Sequence, residues 1–297
     1  MKGSRPVRQV LLALAAVVVA AITPAAAQEE LHEKIEGFFA QIRPHGLYGN
    51  ERAAQALIAL APSLHTARPE FVTALSDTHM VVRWTAARVL GLIGPEAKDA
   101  VPALAQALPT SEWYAQVMVA WALSRMGPAA AEATPALVKV LQTSRDVWVK
   151  REAAMALGAI GPQAREALPV LASLLKDANG FVRVAAATSL YQIGRDNQGF
   201  PVLLEALRDP YIVGPRVAAD ALAELGEGAR PMVPALIDTL KDPAPCARVA
   251  AARALWLIDR NTQGTEALVD ALKDPQLEVR QRASEALRLI GAATGQA

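Results

Sequence analysis

Hydrophobic positions along the chain fall in a helical stripe that keeps returning. Val82, Ala86, Val89, Leu90 and Ile93 stand at i, i+4, i+7, i+8 and i+11, the spacing of one face of an amphipathic helix. Val149, Ala153, Ala156, Leu157 and Ile160 repeat it. Each stripe leads to Gly-Pro or a related signal: Gly94-Pro95, Gly127-Pro128, Gly161-Pro162, then Gly194, Gly226, Asp259 and Gly291, every 32 to 34 residues. Glycine ends a helix where positive φ is cheap, and the following proline cannot continue it. A second proline (Pro69, Pro102, Pro135, Pro169, Pro201, Pro234) suits the first turn of a second helix, where its missing N–H is no loss. Leu104/Leu108, Leu137/Leu141, Leu171/Leu175, Leu203/Leu207, Leu236/Leu240 and Leu268/Leu272 supply that helix with a buried face. No sustained period-two alternation marks a strand.

Working back from each break, a small pair recurs: Ala53-Ala54, Ala86-Ala87, Val119-Ala120, Ala153-Ala154, Ala186-Ala187, Ala218-Ala219, Ala251-Ala252 and Ala283-Ser284. Small side chains let helix axes approach to about 8 Å. A period of this length, two helices to the repeat, predicts an all-α solenoid of about seven full units and a terminal half unit. The frame Asp-x4-Val-Arg-x2-Ala-Ala-x2-Leu-Gly-x-Ile-Gly is carried by stretches such as DANGFVRVAAATSLYQIG (Asp177–Gly194) and DPQLEVRQRASEALRLIG (Asp274–Gly291). It resembles HEAT repeats, in the short form found in phycobilisome-lyase-type proteins. The resemblance implies a right-handed α-solenoid and a surface for binding other proteins. Departures from the frame are Gln116 in place of Arg, Thr110 and Ser144 in place of Asp, Asp259 in place of Gly, and Gly214-Pro215, expected to shift or kink its helix.

The beginning of the chain reads differently. Lys2, Arg5 and Arg8 precede the wholly apolar Val10–Ile22, then Pro24 and Ala25-Ala26-Ala27, the pattern of a signal peptide cleaved after Ala27. Residues 1–27 are thus expected as a signal, 28–48 as a capping helix, 49–291 as the solenoid and 292–297 as a tail. The cap would bury Leu31, Ile35, Phe38, Phe39 and Ile42. Without residues 1–27 the chain keeps 27 basic and 29 acidic residues, a net of −2. That is no charge reservoir for nucleic acid. Cys246 is the single cysteine, which precludes an internal disulfide.

Candidate chemistry is sparse. His32, His45, His65 and His79 lack ligand spacing, so no metal is expected; oxygenases of similar repeats carry repeated His-Glu pairs, and here only His32-Glu33 occurs. No nucleophile elbow and no phosphate loop are present. Cys246 precedes a helix, a position where a thiol can be activated but more often packs inertly. A ladder of Asp77, Asp177, Asp209, Asp242 and Asp274 with Arg83, Lys150, Arg183, Arg248 and Arg280 reads as structure, with Asp capping turns and Arg bridging to the preceding unit.

Two columns point to a partner. The residue before the buried apolar position of each first helix is Val81, Tyr114, Trp148, Phe181, Val213, Cys246 or Glu278, with Trp113 and Tyr211 close by. Either these side chains fill grooves between repeats, or Trp113, Tyr114, Trp148 and Phe181 anchor a partner. On the second helices Thr73, Gln106, Lys139, Ser173, Glu205, Asp238 and Asp270 turn acidic along the chain, solvated or able to steer a basic peptide. The expectation is an exported, monomeric, non-enzymatic scaffold without cofactor, periplasmic or secreted, binding a protein or peptide through Trp113, Tyr114, Trp148, Phe181, Glu205, Asp238 and Asp270. The alternatives are a lyase-like or chaperone-like factor for a chromophore-carrying protein, and an envelope spacer.

Overall fold

The computed structural model describes residues 25–43, 51–61, 64, 67–109, 112–209, 213–260 and 262–294. The expected signal before Ala25, His45, His65, Thr110, Tyr211 and the Val213 side chain lie outside the described residues. The chain forms two compact units, divided between Ala164 and Arg165. The first holds α1 (Ala25–Ile42), α2 (Glu51–Leu60), α3 (Arg68–Ala74), α4 (Met80–Ile93), α5 (Val101–Ala107), α6 (Trp113–Met126), α7 (Thr134–Thr143) and α8 (Val147–Ile160). The second holds α9 (Leu168–Leu174), α10 (Gly180–Gly194), α11 (Phe200–Leu207), α12 (Val213–Leu225), α13 (Val233–Thr239), α14 (Pro245–Asp259), α15 (Thr262–Ala271) and α16 (Leu277–Thr294). From α2 onward the even-numbered helices are the first of each repeat and the odd-numbered the second. The described residues contain no strand.

In each unit the first helices pack on one another, and each second helix packs on the first helix of the next repeat. The repeated stripe is the reason. Val149, Ala153, Ala156, Leu157 and Ile160 are all fully buried, and so are Ala86, Ala87, Ala153, Ala154, Ala218, Ala219, Ala251 and Ala252 of the small pairs. In α1, Leu31, Ile35, Phe38, Phe39 and Ile42 are buried, and Phe39 meets Phe71 of α3 edge to face at 6.0 Å. Pro69, Pro102, Pro135, Pro169, Pro201 and Pro234 stand in the first turns of α3, α5, α7, α9, α11 and α13. Pro215 also falls in the first turn of its helix, because α12 begins at Val213. Proline is tolerated there, so the expected kink is replaced by an ordinary start. The leucine pairs are buried or half-buried except Leu272, which is exposed with Val269, Leu277 and Leu289. Among the described residues no later helix covers that side of α15 and α16.

The helix ends show where backbone freedom matters. Gly94, Gly127, Gly161 and Gly226 close first helices at φ of +74°, +59°, +75° and +52°, each opening a short 3-10 segment. Two repeats depart from this. Gly194 is helical, and the left-handed position passes to Arg195 (φ 56°); after Asp259 it passes to Arg260 (φ 60°). A left-handed arginine costs about 1–2 kcal/mol. Each guanidinium lies over the ring four residues earlier, Arg195 over Tyr191 at 5.1 Å and Arg260 over Trp256 at 3.8 Å, a contact of about 0.5–2 kcal/mol. These two repeats enter their second helix by a different device. A Cβ on Gly199 would lie 2.6 Å from Cα of Ala187, and one on Gly264 would lie 2.5 Å from the carbonyl oxygen of Ala252. The second alanine of the pair and the glycine opposite it therefore set how closely the two helices approach.

Gly199→Ala and Gly264→Ala are each expected to lower stability by about 1–3 kcal/mol in urea denaturation, the usual cost of overpacking. Gly37→Ala, in mid-helix with open space around the added Cβ, is expected to raise it by about 0.5–1 kcal/mol.

Candidate functional site

The Asp/Arg ladder is a structural clamp with more reach than the spacing suggested. Oδ1 of Asp77, Asp177, Asp242 and Asp274 accepts the backbone N–H two residues on, at 2.7–2.9 Å. Nη1 of Arg83, Arg183, Arg248 and Arg280 donates to the carbonyls of the same turn, Arg83 to Asp77 at 2.6 Å and Thr78 at 2.9 Å. The arginine thus holds its own repeat's turn and not the preceding one, since the guanidinium folds back along the first helix turn. Nη2 reaches forward, from Arg83 to both carboxylate oxygens of Glu112 at 2.6 Å and from Arg248 to Asp274 at 3.3 Å. Bridges from a preceding repeat come instead from Arg43 to Asp77 and from Arg208 to Asp242. Where Ser144 replaces Asp, Asp146 caps α8 by accepting from the N–H groups of Trp148 and Val149. These side chains are consumed by the fold.

The first-helix column is split by the structure. Val81 is buried, Tyr114, Phe181 and Cys246 are half-buried, and Glu278 is exposed. Trp113 and Trp148 are 53% and 49% exposed. Phe181, in the second unit, lines a cavity of about 250 Å³ with Val184, Ala206, Gly214 and Val217. In the first unit Tyr114 packs edge to face against Trp84 at 5.9 Å and against Trp113 at 5.3 Å. Trp84 and Trp121, absent from the sequence-based candidates, complete this surface. Arg88, one turn beyond Trp84, stands 6.0 Å from the Trp121 ring, and that ring lies over Gly91, where a Cβ would meet it at 2.6 Å. The signal was available: the residue after each small pair is Arg88, Trp121, Met155, Thr188, Asp220, Arg253 or Glu285, a column on the same face as the aromatic one. Of the five tryptophans, all but Trp256 sit on α4, α6 and α8, so the aromatic surface belongs to the first unit.

All seven residues of the second-helix column are exposed. Its acidic members Glu205, Asp238 and Asp270 are in the second unit, and each has a cation three residues on, Arg208, Lys241 or Lys273. Lys273 pairs with Asp270 at 3.3 Å, and Arg183 approaches Glu205 at 3.9 Å. Arg208 is bonded to Asp242 instead of Glu205, so local cations offset the acidic column only in part. Cys246 lines a cavity of about 170 Å³ with Arg216, Asp220 and Arg253, and Arg253 is bonded to Asp220 at 2.6 Å. His32 lies 3.3 Å from Glu70. No group of three or more metal-ligating side chains occurs among the described residues, and no described helix is long and apolar enough to cross a membrane.

One titratable group stands apart. Glu152, a turn beyond Trp148 on α8, is buried with Arg151 as its hydrogen-bond partner. Burial pushes its carboxyl above the ordinary value, and the Arg151 charge offsets only part of that. The folded chain then holds this proton more tightly than the unfolded chain. The stabilisation is complete below the unfolded value and is lost as pH rises through the raised folded one. Glu152→Gln is expected to gain stability over the parent at neutral pH, the gain shrinking in acid, as read from urea midpoints at both.

The comparisons with known proteins agree with the repeat geometry. The family model for HEAT repeats matches residues 68–146, 134–226 and 233–296. A search of curated proteins finds no match. Among solved structures, the complex of CpcE and CpcF of phycocyanin lyase from Nostoc sp. PCC7120 is 22% identical, with a TM-score of 0.54 over 87% of this chain and 94% of that one. The Kap95:Nup1 complex is 16% identical, with a TM-score of 0.59 over 93% of this chain and 43% of that one. At these identities the likeness is one of fold. With all-α repeats throughout and family matches over most of its length, the chain belongs to the HEAT-repeat family.

Proposed function

We propose that this chain is an exported, non-enzymatic scaffold that binds a protein partner on the aromatic face of its first unit. The observation that carries the reading is the exposure of Trp113 and Trp148 at about half of their surface, beside the half-buried Tyr114. Tryptophan and tyrosine provide large contact area at low entropic cost and dominate interface hot spots. HEAT repeats suit this role because residues on the outer face of a first helix can change without disturbing the small pair and apolar stripe. Solved relatives of the fold include chains in complexes, CpcE with CpcF and Kap95 with Nup1, which favours a protein partner. Export is supported by the basic start, the apolar Val10–Ile22 and the Ala25-Ala26-Ala27 site.

The test is crosslinking capture of partners by the exported protein, alongside a Trp113→Glu/Trp148→Glu variant. Both rings are half exposed, so the variant is expected to unfold within a few degrees of the parent. Tyr114 is left intact because its ring packs on Trp84. Loss of a specific captured protein in the variant supports the docking face. Retention of every captured protein at unchanged stability sinks it.

A further inference from the structure

We infer that the docked partner is an acidic polypeptide segment, its carboxylates seated on Arg88 and Arg125 and its apolar side chains on Trp113 and Trp148. The inference rests on the docking reading above. Charge is its first support. Helices α4, α6 and α8 carry Arg83, Arg88, Arg125, Lys150 and Arg151 against Glu152 and the N-cap acids Glu112, which is bonded to Arg83, and Asp146, which accepts from the N–H groups of α8. Glu152 is buried and bonded to Arg151, so it projects little negative field from this face.

The state of the arginines is the second support. Arg83 is saturated by two carbonyls and the Glu112 carboxylate. Among the described residues no carboxylate pairs with Arg88 or Arg125, and Nε of Arg88 is buried without a hydrogen-bond partner. Carboxylate pairing is available to first-helix arginines of this fold. In the second unit Arg253 pairs with Asp220, Arg248 with Asp274 and Arg282 with Glu278. Arg88 instead faces the Trp121 ring, and a ring leaves the in-plane donors of a guanidinium open to a carboxylate. Two groups of contacts lie along the strip, Trp113 with Tyr114 and Tyr114 with Trp84, then Arg88 with Trp121, with Arg125 a turn beyond Trp121 and Trp148 at the position on α8 that Tyr114 holds on α6. A segment alternating acidic and apolar side chains matches its alternating rings and cations. A neutral or basic segment would leave Arg88 without an acceptor, which gives discrimination. Two separated guanidiniums among rings suit a peptide better than a nucleic-acid backbone, which favours a continuous basic track.

The full mature chain is titrated, by fluorescence anisotropy, with fluorescein-labelled synthetic peptides alternating Glu with Leu, Gln with Leu, or Lys with Leu, and with a labelled single-stranded oligonucleotide. The Glu-Leu peptide is expected to bind about tenfold more tightly than the Gln-Leu peptide, with the margin shrinking as salt rises. Arg88→Gln/Arg125→Gln removes that margin. Arg88→Lys, which keeps the charge and loses the fork, retains the salt dependence at weaker affinity. Trp113→Glu/Trp148→Glu loses every peptide. Equal binding of Glu-Leu and Gln-Leu peptides, or a Glu-Leu preference that survives Arg88→Gln/Arg125→Gln, overturns the acidic partner and leaves the docking face standing. No peptide binding at all, or tighter binding of the oligonucleotide, overturns it as well. Partner capture in the preceding experiment reports separately on the docking face.

Discussion

Helices of 7 to 18 residues are marginal by themselves in water, so this chain depends on how closely neighbouring helices approach at one repeated point. That point is the small pair. Its alanines are buried on both sides, and the elements opposite come so near that Gly199 and Gly264 have no room for a Cβ. Everything else follows from keeping that spacing. The leucines of the second helices fill the remaining space, and the Asp/Arg clamp fixes the turns that deliver α4, α10, α14 and α16. At Arg83 and Arg248 one planar group satisfies turn carbonyls with one nitrogen and a carboxylate of the next repeat with another, while Gln116 and Lys150 hold the same position in two other repeats. Lysine offers a single point of charge and cannot span both.

The same logic explains what the sequence made legible. Features set by backbone geometry could be read directly: positive φ at Gly94, Gly127, Gly161 and Gly226, proline in the first turn of six second helices, and small residues at the close approach. Features set by long side chains could not. The spacing of Asp77 and Arg83 implies a contact, but whether the guanidinium reaches back, inward or forward depends on rotamers that no periodicity encodes. The left-handed turn also slid by one residue, to Arg195 and Arg260, because a neighbouring ring supplies what glycine otherwise provides.

The candidate site was half legible for a related reason. A column drawn at one position per repeat picks out Tyr114 and Trp148, yet a helix face has several columns. Trp84, Arg88 and Trp121 lie on others, and only the packing of α4 against α6 shows that they form one strip with Tyr114. Burial then sorts residues that look alike in sequence. Val81 and Trp148 occupy equivalent positions, and one is enclosed while the other is half exposed. On the second helices the acidic column is exposed, and at its C-terminal end Lys273 blunts the charge of Asp270.

Repeat proteins separate the residues that stack from the residues that recognise, and the division is visible here between the units. In the second unit Arg248, Arg253 and Arg282 of the first helices are each matched to a nearby acid. The first unit departs from that pairing at Arg88 and Arg125 and adds indole surface to the same strip. Their contribution to the stack is partial: Trp113 and Trp148 leave about half their surface in water, and a buried, unbonded arginine Nε weakens the free chain. On the proposal above, what distinguishes the first unit is the combination of half-exposed indoles with guanidiniums that no carboxylate among the described residues pairs, a combination suited to contact with something else.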